Sequence, residues 1–142
     1  MVSYTSNEPT RAEEGMFLIL NFDSEQPIYI QLAEAIEDDV LKGIFEEDTQ
    51  IPSTTEISVA LKINPATARK GVNLLVDEGI LYKKRGVGMF VSVGAKKKVM
   101  HKRRARFYES FIVTLLEEAG KLNISRQELI QMIERGLPDG EN

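Results

Sequence analysis

Cysteine is absent from the 142 residues, and histidine occurs once. Without thiols the chain has no disulfide, no cysteine nucleophile and no thiolate zinc site, a composition typical of a reducing compartment. No apolar run approaches the length of a membrane-spanning helix; the longest near the start covers only residues 16–20. The first residues hold more glutamate than arginine, unlike a secretory signal. We therefore expect a soluble, cytoplasmic protein with no membrane partner.

The histidine and the acidic runs match no known pattern of a chemical site. His101 lies within a run of lysines and arginines, where neighbouring cations disfavour a metal ion, and there is no second histidine to join it. The acidic runs at 37–39 and 46–48 match no calcium-loop spacing and are typical of helix faces and turns. We predict no metal, no cofactor and no catalytic residue, so that the chain is not an enzyme.

Positive charge is scarce overall but concentrated in one segment. The whole chain has a formal charge of −4. Residues 62–106 hold 13 lysines and arginines against two acids and carry +11, whereas the rest of the chain holds five against 20 and carries −15. Because a partner responds to the local field rather than to the total charge, this segment is a candidate surface for nucleic acid.

Two short helices joined by a tight turn are predicted after residue 52. Residues 53–56, Ser-Thr-Thr-Glu, form a capping box, and Asn64-Pro65 is typical of a second helix start. Only residues 62 and 63 separate the two helical patterns. This arrangement predicts a helix-turn-helix. The polar side of its second helix carries Thr67, Arg69, Lys70 and Asn73.

A β-hairpin is predicted next. Residues 80–84 and 89–93 have strand composition, and the turn between them contains Gly86 and Gly88. A hairpin directly after a helix-turn-helix is a wing, whose glycines allow close approach to DNA and whose arginine can enter the minor groove. A plain hairpin would explain the glycines but not the basic run at 83–85.

Two amphipathic helices are predicted after the wing, one over 99–120 and one from a capping box at 125–128 to about residue 138. Two helices cannot enclose a core of their own. Their apolar stripe therefore needs either the winged domain or a second copy of the chain to cover it, and we predict the second copy. Its residues are Tyr108, Phe111, Ile112, Leu115, Leu116 and Ala119. The basic run 96–106 either touches phosphates or is a solvated helix face, and the sequence favours neither.

An N-terminal helix completes the predicted fold. It should begin near Asp23 or Ser24, include Pro27 in its first turn and end at Gly43. Residues 17–22 are predicted to form an edge strand or an arm packed on the body. The fold class is α+β, a winged helix-turn-helix of three helices and a β-hairpin followed by a two-helix dimerisation region. The predicted parts are a mobile tail at 1–16, a DNA-binding domain at 17–93, a helical dimerisation region at 94–138 and a tail at 139–142.

Five short motifs follow one another at defined spacings. They are QPIYIQL at 26–32, IPS at 51–53, INPAT at 63–67, EGIL at 78–81 and RGVGMFV at 85–91. Together this set resembles the GntR family of bacterial transcription regulators, and the short two-helix C-terminal region is similar to the YtrA subfamily. The resemblance covers about residues 21–93 by motif and the rest only by length and helical pattern. It implies a winged helix-turn-helix that binds operator DNA as a homodimer, usually as a repressor.

The candidate DNA-binding residues lie at the two helix starts, on the second helix and in the wing. They are Ser53, Thr55, Asn64, Ala66, Thr67, Arg69, Lys70, Lys84, Arg85, Gly86 and Gly88. Free backbone amides at the second helix start favour a phosphate, and Ala66, Thr67 and Lys70 are offered to base edges and phosphates. One position departs from the family. Members commonly carry an arginine two residues after the Pro-Ser pair, where this chain has Thr55, so one contact to DNA should be missing.

We predict a sequence-specific regulator that binds double-stranded, palindromic operator DNA as a homodimer and represses by occupying it. Two alternatives stay open: a winged-helix protein-interaction module that has lost DNA binding, and a small-ligand binder with a pocket between the wing domain and the C-terminal helices. The sequence does not give the operator, the regulated genes or any small-molecule effector.

Overall fold

The computed structural model describes residues 20–137. The predicted tails at 1–16 and 139–142, and residues 17–19 of the predicted arm, lie outside this range. The chain divides into two compact units, with the boundary between His101 and Lys102. The elements in chain order are α1 (Ile28–Leu41), α2 (Thr54–Leu61), α3 (Pro65–Asp77), β1 (Leu81–Lys84), β2 (Gly88–Val91), α4 (Ala95–Phe107), a π-helical stretch (Tyr108–Ile112), α5 (Val113–Lys121) and α6 (Arg126–Gly136).

The first unit is built on one apolar core. In α1 the apolar residues recur at three- and four-residue spacing, so they form a single stripe that is buried against α3. Helix α2, the segment that precedes it, the hairpin and the first turns of α4 add further side chains to the core. The fully buried large residues include Leu32, Ile36, Ile57, Leu75, Ile80, Leu81, Val91 and Val99. The predicted α+β winged helix-turn-helix is confirmed in this unit.

The predicted start of α1 near residue 23 is wrong, because the helix begins only at Ile28, after Pro27. A residue before proline is disfavoured in the α conformation, so Gln26 breaks any helix that would pass through it. The polar residues before it form local turns instead: Asn21 Oδ1 accepts from the N–H of Asp23 at 3.0 Å, and Ser24 Oγ accepts from the N–H of Gln26 at 3.1 Å. Leu20 belongs to no strand and packs against the core.

Helices α1 and α3 approach each other closely at Gly71. A Cβ atom at this position would lie 2.9 Å from the carbonyl oxygen of Tyr29 and 3.0 Å from a methyl group of Leu32. Real Cβ atoms do not approach backbone oxygens so closely, so only glycine permits this spacing between the helices. The first turn of α1 is therefore fixed against the middle of α3.

The hairpin pairs antiparallel, with Leu81 opposite Val91 and Lys84 opposite Gly88. Residues 48–51 pair with β2 through an antiparallel β-bridge between Gln50 and Phe90. The N–H of Ile51 donates to the carbonyl of Met89 at 2.9 Å, and the N–H of Val91 donates to that of Thr49 at 3.0 Å. The pairing covers one edge of β2 and buries Met89 and Val91. The wing is thus a continuous part of the first unit.

Helix α4 starts at Ala95, four residues before the predicted start at residue 99. The Glu47 carboxylate caps this turn, accepting from the N–H of Gly94 at 2.8 Å and from that of Lys96 at 3.1 Å. These two bonds, with the Gly94 bond the stronger influence, hold the pKa of Glu47 below its ordinary value. Ala95 and Val99 are fully buried, so the start of α4 belongs to the first core.

The second unit contains a π-helical stretch that the sequence did not predict. The long helix expected over 99–120 changes from α to π geometry over Tyr108–Ile112 and returns to α geometry at Val113. Asn123 takes a left-handed conformation after α5, and Ser125 Oγ caps α6 by accepting from the N–H of Glu128 at 3.1 Å. Large apolar side chains are exposed along all three segments, Phe111 by 63% and Ile133 by 48%.

Candidate nucleic-acid interface

Both helices of the helix-turn-helix start at the side-chain caps that the sequence predicts. At α2 the capping box is complete: Ser53 Oγ accepts from the N–H of Glu56, and Glu56 Oε1 accepts from the N–H of Ser53, both at 3.0 Å. At α3 Asn64 Oδ1 accepts from the N–H of Ala66 at 2.7 Å. Lys62, with φ of 56°, makes the turn between them. The caps fix the direction in which α3 leaves the turn.

One side of α3 is buried in the core and the opposite side is exposed. Ala68, Val72 and Leu75 are buried, whereas Ala66, Arg69, Lys70 and Asn73 are exposed. The exposed residues recur at three- and four-residue spacing, so they form one face that begins at the helix N-terminus. We call this set (Ala66, Arg69, Lys70, Asn73) the α3 face.

The α3 face borders a shallow depression of about 520 Å³ on the side towards α1. Its lining combines the α3 face with Tyr29, Leu74 and Asp77. The Lys70 Nζ atom lies 4.1 Å from the centroid of the Tyr29 ring, which is a cation–π contact. Aromatic, basic and amide side chains thus meet at this edge of α3.

The wing tip is exposed, small and basic. Lys83, Lys84, Arg85 and Gly86 are all exposed, and the turn has φ of +76° at Gly86. Gly88 is half-buried with φ of +146°, and a Cβ atom there would collide with the Gln50 side chain, whose Nε2 donates to the carbonyl of Val87 at 3.0 Å. The positive φ favours glycine at both positions, and the space around Gly86 is open.

Aromatic contacts hold one face of the wing in place. The rings of Tyr82 and Phe90 stack across the strands with centroids 5.6 Å apart, and Lys84 Nζ lies 4.5 Å from the Phe90 centroid. The Tyr82 hydroxyl donates to Asp48 Oδ1 at 2.7 Å, and this bond raises the pKa of Tyr82 above its ordinary value. These contacts stabilise the strand pair that carries the exposed lysines and the arginine of the wing.

The remaining candidates divide between backbone caps and exposed positions. Ser53 and Asn64 serve as caps, Thr55 is exposed on the first turn of α2, and Thr67 is half-buried. In the basic run 96–106, Lys98 Nζ donates to the carbonyl of Gly79 at 3.2 Å and so stabilises the connection after α3. Lys96 and Lys97 are exposed on the first turn of α4, and Arg104 and Arg106 are exposed in its last turn.

The residues predicted for dimerisation lie on the π-helical stretch and α5. Tyr108, Phe111, Leu115 and Leu116 are exposed and Ile112 is half-buried, whereas Ala119 is already buried within the single chain. The rings of Phe107 and Phe111 touch, with centroids 5.5 Å apart.

Sequence reasoning did not assign Tyr29, Gln50 or Asn73 to the site. Asn73 lies on the predicted polar side of α3, so its spacing from Arg69 and Lys70 could have included it. Tyr29 and Gln50 are distant in sequence from the residues that they contact, and only the packing of α1 on α3 and of residues 48–51 on β2 brings them there.

Two other observations concern the described part of the chain. Between residues 20 and 137, no helix is both long and apolar enough to cross a membrane. Over the same range, no three acidic or histidine side chains cluster where they could hold a metal ion.

A capped helix pair with a tight turn, an exposed basic face on its second helix and a basic β-hairpin directly after it define a winged helix-turn-helix protein. Residues 28–91 match the model of the family described as bacterial regulatory proteins, gntR family. The chain belongs to the GntR family and is of the YtrA type.

Three similar proteins illustrate this membership. The transcriptional repressor YtrA of Bacillus subtilis is 31% identical over 110 residues, 78% of this chain and 71% of YtrA. The regulator YurK of the same organism is 37% identical over 73 residues, 51% of this chain but only 30% of YurK. A GntR-family transcriptional regulator from Bacteroides thetaiotaomicron has 33% identity and a TM-score of 0.62, covering 76% of this chain and 94% of that one.

Proposed function

We propose that the chain is a sequence-specific DNA-binding repressor that occupies a palindromic operator as a homodimer. The observation that carries this proposal is the combination of the α3 face with the wing tip in one compact unit. Helix α3 and strand β1 pack on each other, so both basic surfaces keep a fixed geometry. YtrA, a relative covered over most of its length, is named as a repressor.

The α3 face suits the major groove. An α-helix fits that groove, and the residues near its N-terminus contact base edges while the backbone amides there attract a phosphate. Arg69 and Asn73 have side chains able to form paired hydrogen bonds with guanine and adenine respectively. Ala66 is small enough to let the helix approach closely. We therefore propose Arg69 and Asn73 as the residues that contact bases.

The wing suits the minor groove. Arg85 follows two lysines at the exposed tip, and a narrow minor groove attracts arginine through its enhanced negative potential. Gly86 has open space around it, so the backbone of the tip can approach a sugar-phosphate strand without a side chain intervening. Residues 17–93 would then form the DNA-binding domain.

The homodimer rests on the second unit. Its exposed apolar residues span the π-helical stretch, α5 and α6, and apolar exposure on this scale is typical of an interaction surface. A two-fold dimer presents two identical domains, which matches a palindromic operator with half-sites about one helical turn or more apart. Residues 94–138 would then form the dimerisation region.

The test is a selection of duplexes from a random library, followed by titration of the selected duplex and of a scrambled one by fluorescence anisotropy over a range of salt concentrations. We expect tighter binding to the selected duplex, with log affinity falling steeply as log salt rises. Arg85→Gln should weaken binding and reduce the magnitude of the salt slope by about one. Lys42→Gln, an exposed cation outside the proposed surface, is the matched control and should leave both unchanged.

If the selection enriches no duplex sequence, the proposal is contradicted. Equal affinity of the parent chain for the selected and the scrambled duplex would contradict sequence specificity. If the parent chain binds no DNA even at low salt, a protein-interaction module is favoured instead.

A further inference from the structure

The ammonium group of Lys70 is not simply a solvated cation on the α3 face. Its Nζ atom lies 4.1 Å from the centroid of the Tyr29 ring, well inside the roughly 6 Å range of cation–π attraction. Tyr29 is half-buried in the first turn of α1, whereas Lys70 is exposed. The contact therefore joins the start of α1 to the exposed side of α3.

Backbone packing fixes the start of α1, from which the Tyr29 ring extends. The Tyr29 carbonyl oxygen faces Gly71 at a distance that no other residue type would allow. Two residues after Tyr29, the buried Gln31 side chain accepts from the N–H of Asn21 at 2.6 Å and donates to the carbonyl of Gln26 at 2.8 Å. The turn that leads into α1 is thus tied to the helix, and the ring has a defined place beside α3.

The ring in turn restricts where the Lys70 ammonium can go. A lysine side chain free in solvent samples many rotamers and loses that freedom when it binds. When the Lys70 ammonium lies over the Tyr29 ring, its N–H groups on the far side still point to solvent and can donate to a ligand. Tyr29 lies on the α1 side of the α3 face, at its edge. When a helix lies in the major groove, side chains at its edges face the phosphates and those at its centre face the bases.

Building on the DNA-binding function proposed above, we propose that Tyr29 is a positioning residue of the interface, which holds Lys70 at the α1 edge of α3 as a phosphate anchor. Lys70 then adds affinity without reading sequence, and the start of α1 becomes part of the DNA-binding surface. This assignment narrows the sequence-based expectation, which offered Lys70 to bases and phosphates alike.

The binding test uses the full chain with Tyr29→Leu, Tyr29→Phe, Lys70→Gln and the double variant Tyr29→Leu/Lys70→Gln. Tyr29→Leu should weaken binding to the selected and the scrambled duplex alike, by about two- to fivefold, the range expected for an exposed cation–π contact. Tyr29→Phe keeps the ring and should bind like the parent. In the Lys70→Gln background, Tyr29→Leu should have no further effect, because the two side chains act through one contact.

The contact itself is measured in the protein without DNA. The ε-methylene protons of Lys70 should show an upfield ring-current shift by NMR in the parent and in Tyr29→Phe, and lose it in Tyr29→Leu. A merely structural role of Tyr29 would not produce this pattern. Lys42→Gln is the control for removal of a cation elsewhere on the unit.

Several outcomes would overturn the inference. One is a Tyr29→Leu effect that persists in the Lys70→Gln background, and another is a change in the ratio of affinities for the two duplexes, which would place Lys70 at the bases. Absence of the ring-current shift would contradict the contact. A parent chain that binds neither duplex would instead contradict the proposed function, and the inference would fall with it.

Discussion

Side-chain caps decide where backbone hydrogen bonding starts in this protein. Ser53, Asn64 and Ser125 each accept a hydrogen bond from the first turn of their own helix, and the Glu47 carboxylate does the same for α4 from a distant part of the chain. Each cap satisfies an N–H group that has no partner within the helix. Thr55→Arg tests the proposed DNA interface, and Glu47→Gln tests the cap of α4.

Thr55 is exposed at the position where the family resemblance predicts an arginine. Threonine cannot form the paired hydrogen bonds to guanine that arginine forms, so Thr55→Arg should add base discrimination of roughly 1–3 kcal/mol at one operator position. The measurement compares parent and variant on the selected duplex and on duplexes with guanine introduced near the half-site centre. Identical preferences of both proteins would mean that the start of α2 does not face the bases.

Glu47→Gln should lower the thermal stability at neutral pH. Since hydrogen bonds from the N–H groups of Gly94 and Lys96 make the pKa of Glu47 lower in the folded chain than in the unfolded one, folding favours the charged carboxylate. Its contribution is complete above the ordinary pKa of 4.5 and is lost as the pH falls through the folded-state pKa. The difference in Tm between parent and variant, followed by circular dichroism, should therefore shrink from pH 7 towards acid.

Glu46→Gln is the matched control. Glu46 is the exposed neighbour of Glu47, and its substitution by glutamine removes the same charge. It should change Tm less than Glu47→Gln at pH 7. Equal Tm losses in both variants would point to the net charge rather than to the cap of α4.

At the scale of elements, the approach of α1 to α3 depends on Gly71. Alanine in place of a helical glycine usually stabilises a protein by up to about 1 kcal/mol. At Gly71 the added Cβ would lie 2.9 Å from the Tyr29 carbonyl oxygen, so we expect Gly71→Ala to destabilise by about 1–3 kcal/mol. Urea denaturation measures the change, and DNA binding should weaken as Tyr29 moves away from Lys70.

Gly120→Ala should change the free energy of unfolding in the opposite direction to Gly71→Ala. This glycine lies in α5 with an ordinary backbone conformation, and an added Cβ would meet nothing within 4 Å. Alanine there should stabilise its helix by roughly 0.5–1 kcal/mol. A stabilising effect at both glycines would show that α1 and α3 can separate without cost.

At the scale of the whole molecule, the exposed apolar residues of the second unit form the proposed dimer surface. Leu115 lies in α5, is 37% exposed and would be enclosed in the proposed dimer. Leu115→Asp should yield monomers, because a buried carboxylate without a partner is costly. Analytical ultracentrifugation at micromolar concentration measures the mass, and operator binding should weaken with loss of the second half-site contact.

Thr114→Asp introduces the same charge at the exposed neighbouring position of α5, on a different side of the helix. It should remain dimeric. A parent chain that sediments as a monomer, or equal dissociation of both variants, would contradict the assigned dimer surface.

Local signals made most of the fold predictable. The capping box at 53–56, the Asn64-Pro65 start and the basic hairpin are short-range patterns, and the structure confirms the helix pair and the wing that they predict. Such patterns act within one turn, so a single sequence contains them in full. The start of α1 was misplaced because the Asp23 and Ser24 side chains also fit a helix cap, and Pro27 decided between the two starts.

What the sequence alone determined, then, is the order of the elements, the location of the basic segment and the exposed side of α3. Tertiary structure decided which distant residues reach that side: Tyr29 lies beside Lys70 only because Gly71 lets α1 approach α3, and Gln50 lies on Gly88 only because residues 48–51 pair with β2. The π geometry at Tyr108–Ile112 also had no sequence signal. Contacts between residues far apart in the chain depend on packing of whole elements, and no local pattern records them.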